Sequence, residues 1–173
     1  MPSFVEVTHN HSSVCFLVVL PRLLQVNRVL LETEDRFDMC CKLLWMLIRS
    51  FSNVQDSVKV VENIGITTVV RMLDSDDLQI QCIGCEAVKI LLSSDKFDYH
   101  AQLIRREVTG KIISLLTAST AGHVLYSAMT ALSDLAISWS SFHPVPAVQN
   151  AILQSGSLPR LVQIAQNSRW ALQ

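Results

Sequence analysis

Apolar residues recur along the chain at helical spacing and in a repeating frame. Four seven-residue segments, each beginning 46 residues after the one before, are apolar at their first, fourth, fifth and seventh positions. They cover residues 20–26, 66–72, 112–118 and 158–164. This spacing places the apolar side chains on one face of an α-helix. The pattern therefore predicts four copies of one amphipathic helix.

A second series of longer amphipathic stretches follows the first and covers residues 34–51, 76–93 and 121–138. Shorter helical segments are expected at residues 53–63, 97–109 and 146–155. Gly65, Gly110 and Gly156 lie one or two residues before three of the seven-residue segments. Glycine adopts positive φ easily, so it lets one helix end and the next begin at an angle. Each unit is thus predicted to be a short helix, a glycine turn, a second helix and a long third helix, and the fold to be all-α.

Three helices in a unit of about 40–47 residues resemble the armadillo repeat. The residues that carry the resemblance are Glu62-Asn63-Ile64-Gly65-Ile66, Val69-Val70-Arg71-Met72-Leu73, Ala131-Leu132-Ser133-Asp134-Leu135-Ala136 and Gln154-Ser155-Gly156-Ser157-Leu158. The resemblance covers about residues 20–173 and implies a right-handed α-solenoid of three to four three-helix units, the terminal ones incomplete. Residues 1–19 fit the frame poorly, and we expect a leader or a degenerate first helix there.

The resemblance also implies a ladder of binding residues on the concave face of the long helices. Many family members carry an Asn on this ladder, and nuclear-import adaptors add a Trp one turn earlier. This chain has Lys42 and Met46, then Glu86 and Ile90, then Thr130 and Asp134 at these positions. Recognition of nuclear-localisation peptides is therefore not implied. We expect the three pairs to line up, while Leu43, Leu44 and Leu47 face the core.

Composition narrows the function classes. Half of the residues are hydrophobic, and 14 Lys and Arg balance 15 Asp and Glu. A nearly neutral chain lacks the basic footprint of a nucleic-acid binder. The longest apolar run, residues 14–20, is too short for a membrane span, which needs about 20 residues. Glu6 precedes that run and Pro21 follows it, so no signal peptide is expected.

The cysteines and histidines do not form a pattern that supports chemistry. Cys82-Ile83-Gly84-Cys85 lacks the βαβ context of a redox motif and the second ligand pair of a zinc site. Five cysteines in a chain of this size suggest free thiols in a reducing compartment, cytoplasmic or nuclear. No phosphate loop or nucleophile elbow occurs. We therefore expect no enzyme activity, no cofactor and no metal.

The function expected from the sequence is a protein-interaction scaffold that binds an extended peptide or a partner helix on its concave face. Two alternatives stay open, a structural spacer within a larger repeat protein and an enzyme with an unfamiliar site. Trp139 and Phe142, beside or within loop 140–146, offer a second candidate binding edge. The fourth unit's long helix has only begun at residue 173, which suggests a truncated repeat array. Leu158, Leu161 and Val162 are then expected to be uncovered and to favour self-association.

Overall fold

The computed structural model describes residues 36–51, 53–94, 99–138 and 143–167. In this part of the chain the elements are α1 (Phe37–Ser50), α2 (Val54–Leu73), α3 (Leu78–Leu92), α4 (Tyr99–Arg105), α5 (Val108–Ala118), α6 (Gly122–Ala136), β1 (Ile137–Ser138), β2 (His143–Pro144), α7 (Pro146–Gln154) and α8 (Leu158–Gln166). The two-residue strands pair antiparallel. The prediction of an all-α fold is confirmed, and the solenoid arrangement stays a prediction.

Helix α2 contains the first predicted glycine turn. Asn53 caps its start by accepting a hydrogen bond from the Gln55 N–H at 2.9 Å. Gly65, at φ 79° and ψ 156°, interrupts the helical backbone and divides α2 into two segments. A side chain at this φ would be strained, so glycine is the residue that permits the bend.

The turn predicted at Gly110 is wrong, and the bend lies three residues earlier. Gly110 is inside α5, whereas Glu107, just before that helix, has φ 58°. The left-handed conformation is uncommon outside glycine, so no residue type in this segment predicted it. Gly156 does adopt positive φ, at 66°, between α7 and α8.

The third helix α3 lies at the centre of the core and packs against α1, α2 and α6. Asp77 caps it, because its carboxylate accepts hydrogen bonds from the Gln79 N–H at 2.7 Å and the Ile80 N–H at 3.3 Å. Gly84 permits the close approach of α2, since a Cβ there would lie 3.0 Å from side-chain atoms of Met72 and Leu73. This is the structural role of the CxxC segment.

Two expectations about the long helices are wrong in detail. In α1, Leu44 is buried, but Leu43 is 52% exposed and Leu47 is half-buried. Among the described helices α1 packs chiefly against α2 and α3, so only one stripe of its surface is covered. Helix α6 ends at Ala136 rather than at residue 138, because Ile137 turns extended and pairs with Pro144.

Candidate functional site: a groove across three helices

A groove of about 450 Å³ crosses α1, α3 and α6. It is lined by Trp45, Arg49, Gln79, Cys82, Ile83, Glu86, His123, Tyr126 and Ser127. The four α3 residues are spaced i, i+3, i+4, i+7, and the three α6 residues i, i+3, i+4, so each set forms one face of its helix. The helices thus present two continuous walls and a rim from α1.

The rim on α1 combines an aromatic ring with a cation. The Arg49 guanidinium carbon lies 5.9 Å from the centroid of the Trp45 ring, near the outer limit of a cation–π contact. Trp45 is half-buried and packs against the core, while Arg49 is exposed. A half-buried ring with an exposed cation beside it suits a surface that contacts another molecule.

Cys82 on α3 and Ser127 on α6 both line the groove. Burial raises the pKa of the Cys82 thiol, and the Ser127 side chain opposes this rise. Raised pKa values keep the thiol protonated, so Cys82 is a packing group here rather than a nucleophile. Tyr126, one position before Ser127, is 54% exposed at the open side of the groove.

Acidic groups collect at one end of the groove. Glu86 pairs with Lys89 at 3.0 Å on the same helix. Burial, with help from the nearby Glu86 charge, raises the pKa of the Asp134 carboxyl, and Lys89 opposes this shift. A ring nitrogen of His100 lies 3.3 Å from the Asp134 carbonyl oxygen. One lysine therefore stands beside two carboxylates, and this end favours a cationic or hydrogen-bond-donating group.

The six ladder candidates are only partly brought together. Glu86 lines the groove, Asp134 lies beside it, and the Thr130 hydroxyl donates to the Ser127 carbonyl at 3.0 Å. Ile90 is half-buried and packs against the core, and Met46 is 69% exposed. The role of all six in binding stays a prediction.

The first pair does not line up with the other two, and that expectation is corrected. The Lys42 ammonium lies 2.7 Å from the Asp77 carboxylate, at the start of α3. Glu86 comes nine residues later, roughly 13 Å along the helix at 1.5 Å per residue. Helix α1 therefore packs on α3 with an offset of 35 residues rather than 44, so Lys42 and Met46 do not stand in register with Glu86 and Ile90.

Sequence reasoning missed the aromatic and basic groups of the groove. The 44-residue repeat could have indicated Tyr126, because Cys82 and Tyr126 lie 44 residues apart. Each lies one turn before a ladder position, Glu86 and Thr130 respectively. Trp45 and Arg49 could not be found this way, since α1 departs from the 44-residue register. Trp139 and Phe142, the alternative binding edge, lie outside the described residues.

Comparison with protein-family models, with curated proteins and with solved structures finds no match to this chain. Within the described ranges, no group of three or more His, Cys, Asp or Glu residues is arranged to hold a metal ion. No helix in the same ranges is long and apolar enough to cross a membrane.

Proposed function

We propose that the chain is a non-catalytic protein-interaction module, intracellular and of armadillo type, that binds an extended peptide or a partner helix in the groove across α1, α3 and α6. The observation that carries this proposal is the groove itself, which spans successive long helices and is lined by Trp45, Tyr126, Arg49 and Glu86. Aromatic residues and arginine contribute most of the binding energy at many protein interfaces.

The acidic end and the aromatic rim suggest which peptide would bind. A basic or amide side chain of the ligand would lie near Glu86 and Asp134, and an apolar side chain near Trp45 and Tyr126. The mixed character of the groove disfavours a ligand that is uniformly acidic or uniformly basic. The alternative function is a structural spacer with no binding activity of its own.

Selection from a random-peptide display library on the immobilised chain tests the proposal. Tyr126→Ser and Glu86→Lys should each weaken binding of the selected peptides at least about tenfold, because Tyr126 is an exposed aromatic contact and Glu86 is the carboxylate that lines the groove. Leu153→Ser on α7 is a matched control, since Leu153 is exposed and does not line the groove. Reversal of Lys42 is a poorer test, because it would place two carboxylates together at Asp77.

Each outcome of the selection has a direct reading. Peptides that lose affinity with the Tyr126 and Glu86 variants and keep it with the Leu153 variant support the groove. Peptides that bind all variants equally would place the site elsewhere. A selection that enriches nothing from a correctly folded chain would favour the spacer.

A further inference from the structure

A second cavity, of about 540 Å³, lies where α2 bends and α4 ends. It shares no lining residue with the groove across α1, α3 and α6. Its chemistry is therefore independent of the proposed peptide site.

One wall of this second cavity is cationic. Arg105 is the last residue of α4, Arg106 follows it, and both are exposed. Neither forms an ion pair with any described residue. Gln102, three residues before Arg105 and so on the same side of α4, adds an amide to the lining. Because both arginines line the cavity, an anion bound there would meet two cationic side chains.

The opposite wall is apolar and open. Ile66 and Tyr99 are half-buried and line the cavity, so they present its accessible apolar surface, while Val61 and Leu91 are fully buried beneath. Gly65 lies at the bend between them, and a Cβ built there would have no heavy atom within 4 Å. The space beside the bend is thus free to receive an apolar group of moderate size.

One carboxylate, Glu62, also lines the cavity and accepts two hydrogen bonds. Glu62 accepts a hydrogen bond from the Tyr99 hydroxyl at 3.0 Å and from the Ser94 hydroxyl at 3.5 Å. Burial and the neighbouring Glu62 raise the pKa of Tyr99 to about 12, so the phenol stays a donor near neutral pH. Glu62 is therefore held by two neutral donors, while the side chains of Arg105 and Arg106 form no hydrogen bond with any residue that the structure describes.

We propose that this cavity binds a phosphate monoester that carries an apolar body. Arg105 and Arg106 would hold the phosphate, since guanidinium groups match phosphate oxygens in bidentate geometry. The apolar body would lie against Ile66 and the Tyr99 ring. A phosphate offers three oxygens to the two guanidinium groups and a carboxylate offers only two, so a phosphate fits better.

Titration of the full chain with phenyl phosphate in a phosphate-free, low-salt buffer tests the site, followed by backbone amide chemical shifts. Binding should weaken at least about tenfold in Arg105→Ala/Arg106→Ala, because charge-assisted hydrogen bonds are lost. Glu62→Gln should tighten binding, since it removes a negative charge from the cavity. Arg36→Ala, an exposed arginine that does not line the cavity, should leave binding unchanged.

Two further comparisons make the result decisive. Binding should strengthen as the pH rises through about 6, where a phosphate monoester becomes a dianion. Inorganic phosphate and phenol alone should each bind more weakly than phenyl phosphate. The proposal is overturned if the double arginine variant binds as tightly as the unmodified chain, if Arg36→Ala weakens binding as much, or if inorganic phosphate binds as well as the ester.

Discussion

At the scale of single residues, the two glycines inside long helices have opposite environments. Gly84 in α3 lies against α2, where an added Cβ would come within 3.0–3.1 Å of Met72 and Leu73 atoms, one of them the backbone nitrogen of Leu73. Gly110 in α5 has no such neighbour within 4 Å. Alanine stabilises a helix relative to glycine by about 1 kcal/mol. Packing around each glycine therefore decides whether its replacement by alanine raises or lowers the free energy of unfolding.

We expect Gly84→Ala to lower the free energy of unfolding by about 1–3 kcal/mol, because overpacking forces α2 and α3 apart. Gly110→Ala is the matched control and should raise the free energy of unfolding by about 0.5–1 kcal/mol. Urea denaturation followed by circular dichroism measures both. A stabilising Gly84→Ala would mean that α2 and α3 do not meet as closely as described.

The Lys42–Asp77 ion pair gives the stability a pH dependence at the low end. The Lys42 ammonium, followed by the Gln79 and Ile80 N–H groups, lowers the pKa of Asp77 in the folded chain. The contribution to stability is therefore present above the unfolded-state pKa of an aspartate, about 3.9, and is lost as the pH falls through the folded-state pKa.

Lys42→Met should lower the free energy of unfolding at pH 7 and should flatten its decline between about pH 5 and pH 3. The pair joins α1 to the start of α3, so its loss also loosens the contact between two helices. Lys59→Met is the control, because Lys59 pairs with Asp56 within a single helix at a more exposed position. Equal pH profiles for the two variants would show that the interhelical pair contributes no more to the pH dependence of stability than the pair within α2.

At the scale of helices, the bend before α5 is held by a residue in an unfavourable conformation. Glu107 is exposed and has φ 58°, a region that costs a residue with a Cβ about 1–2 kcal/mol. Its N–H donates to the Ile104 carbonyl at 3.0 Å, and its own carbonyl accepts from the Lys111 N–H at 3.2 Å, so the turn is fixed on both sides.

Glu107→Gly should raise the free energy of unfolding by up to about 1 kcal/mol, since glycine reaches this φ without strain and loses only part of that gain to chain entropy. Glu107→Ala controls for the lost carboxylate and should bring no gain. Thermal denaturation of the three proteins distinguishes the two effects. A stabilising alanine would point to charge rather than backbone strain.

The turns and helix caps show which features of the fold could be predicted from the sequence. Helix periods, the bend at Gly65, the Asp77 region as a cap and Gly156 were predictable, because each rests on a local propensity that one residue type signals. The bend at Glu107 was not predictable, since the residue adopts a conformation that its own side chain disfavours. The contact of Lys42 with Asp77 was missed for a related reason. Helical periodicity fixes the face of a helix but not its axial offset against a neighbour.

At the scale of the whole molecule, two exposed apolar faces lie on helices far apart in the chain. On α1, Met39, Leu43 and Met46 form a stripe at i, i+4, i+7, and each is more than half exposed. The residues 44 positions after Met39 and Leu43, namely Ile83 and Ala87, are buried. On α8, Leu158 and Val162 are 48% and 46% exposed, whereas Leu161 is half-buried against the core. The expected exposure therefore holds for Leu158 and Val162 but not for Leu161.

Two different apolar faces on one chain favour head-to-tail association, in which the α8 face of one copy covers the α1 stripe of the next. We expect the sedimentation coefficient to rise with concentration, because uncovered apolar area drives association. Met39→Ser/Leu43→Ser and Leu158→Ser/Val162→Ser should each leave the variant monomeric on its own, because the remaining face has no complementary face to bind. An equimolar mixture of the two variants should still form heterodimers, since each retains one intact face.

The control is Val54→Ser, which replaces a single exposed apolar residue on α2 and should not change the association. A variant that still dimerises on its own would indicate a symmetric contact between like faces, and an unmodified chain that stays monomeric at all concentrations would refute the association altogether.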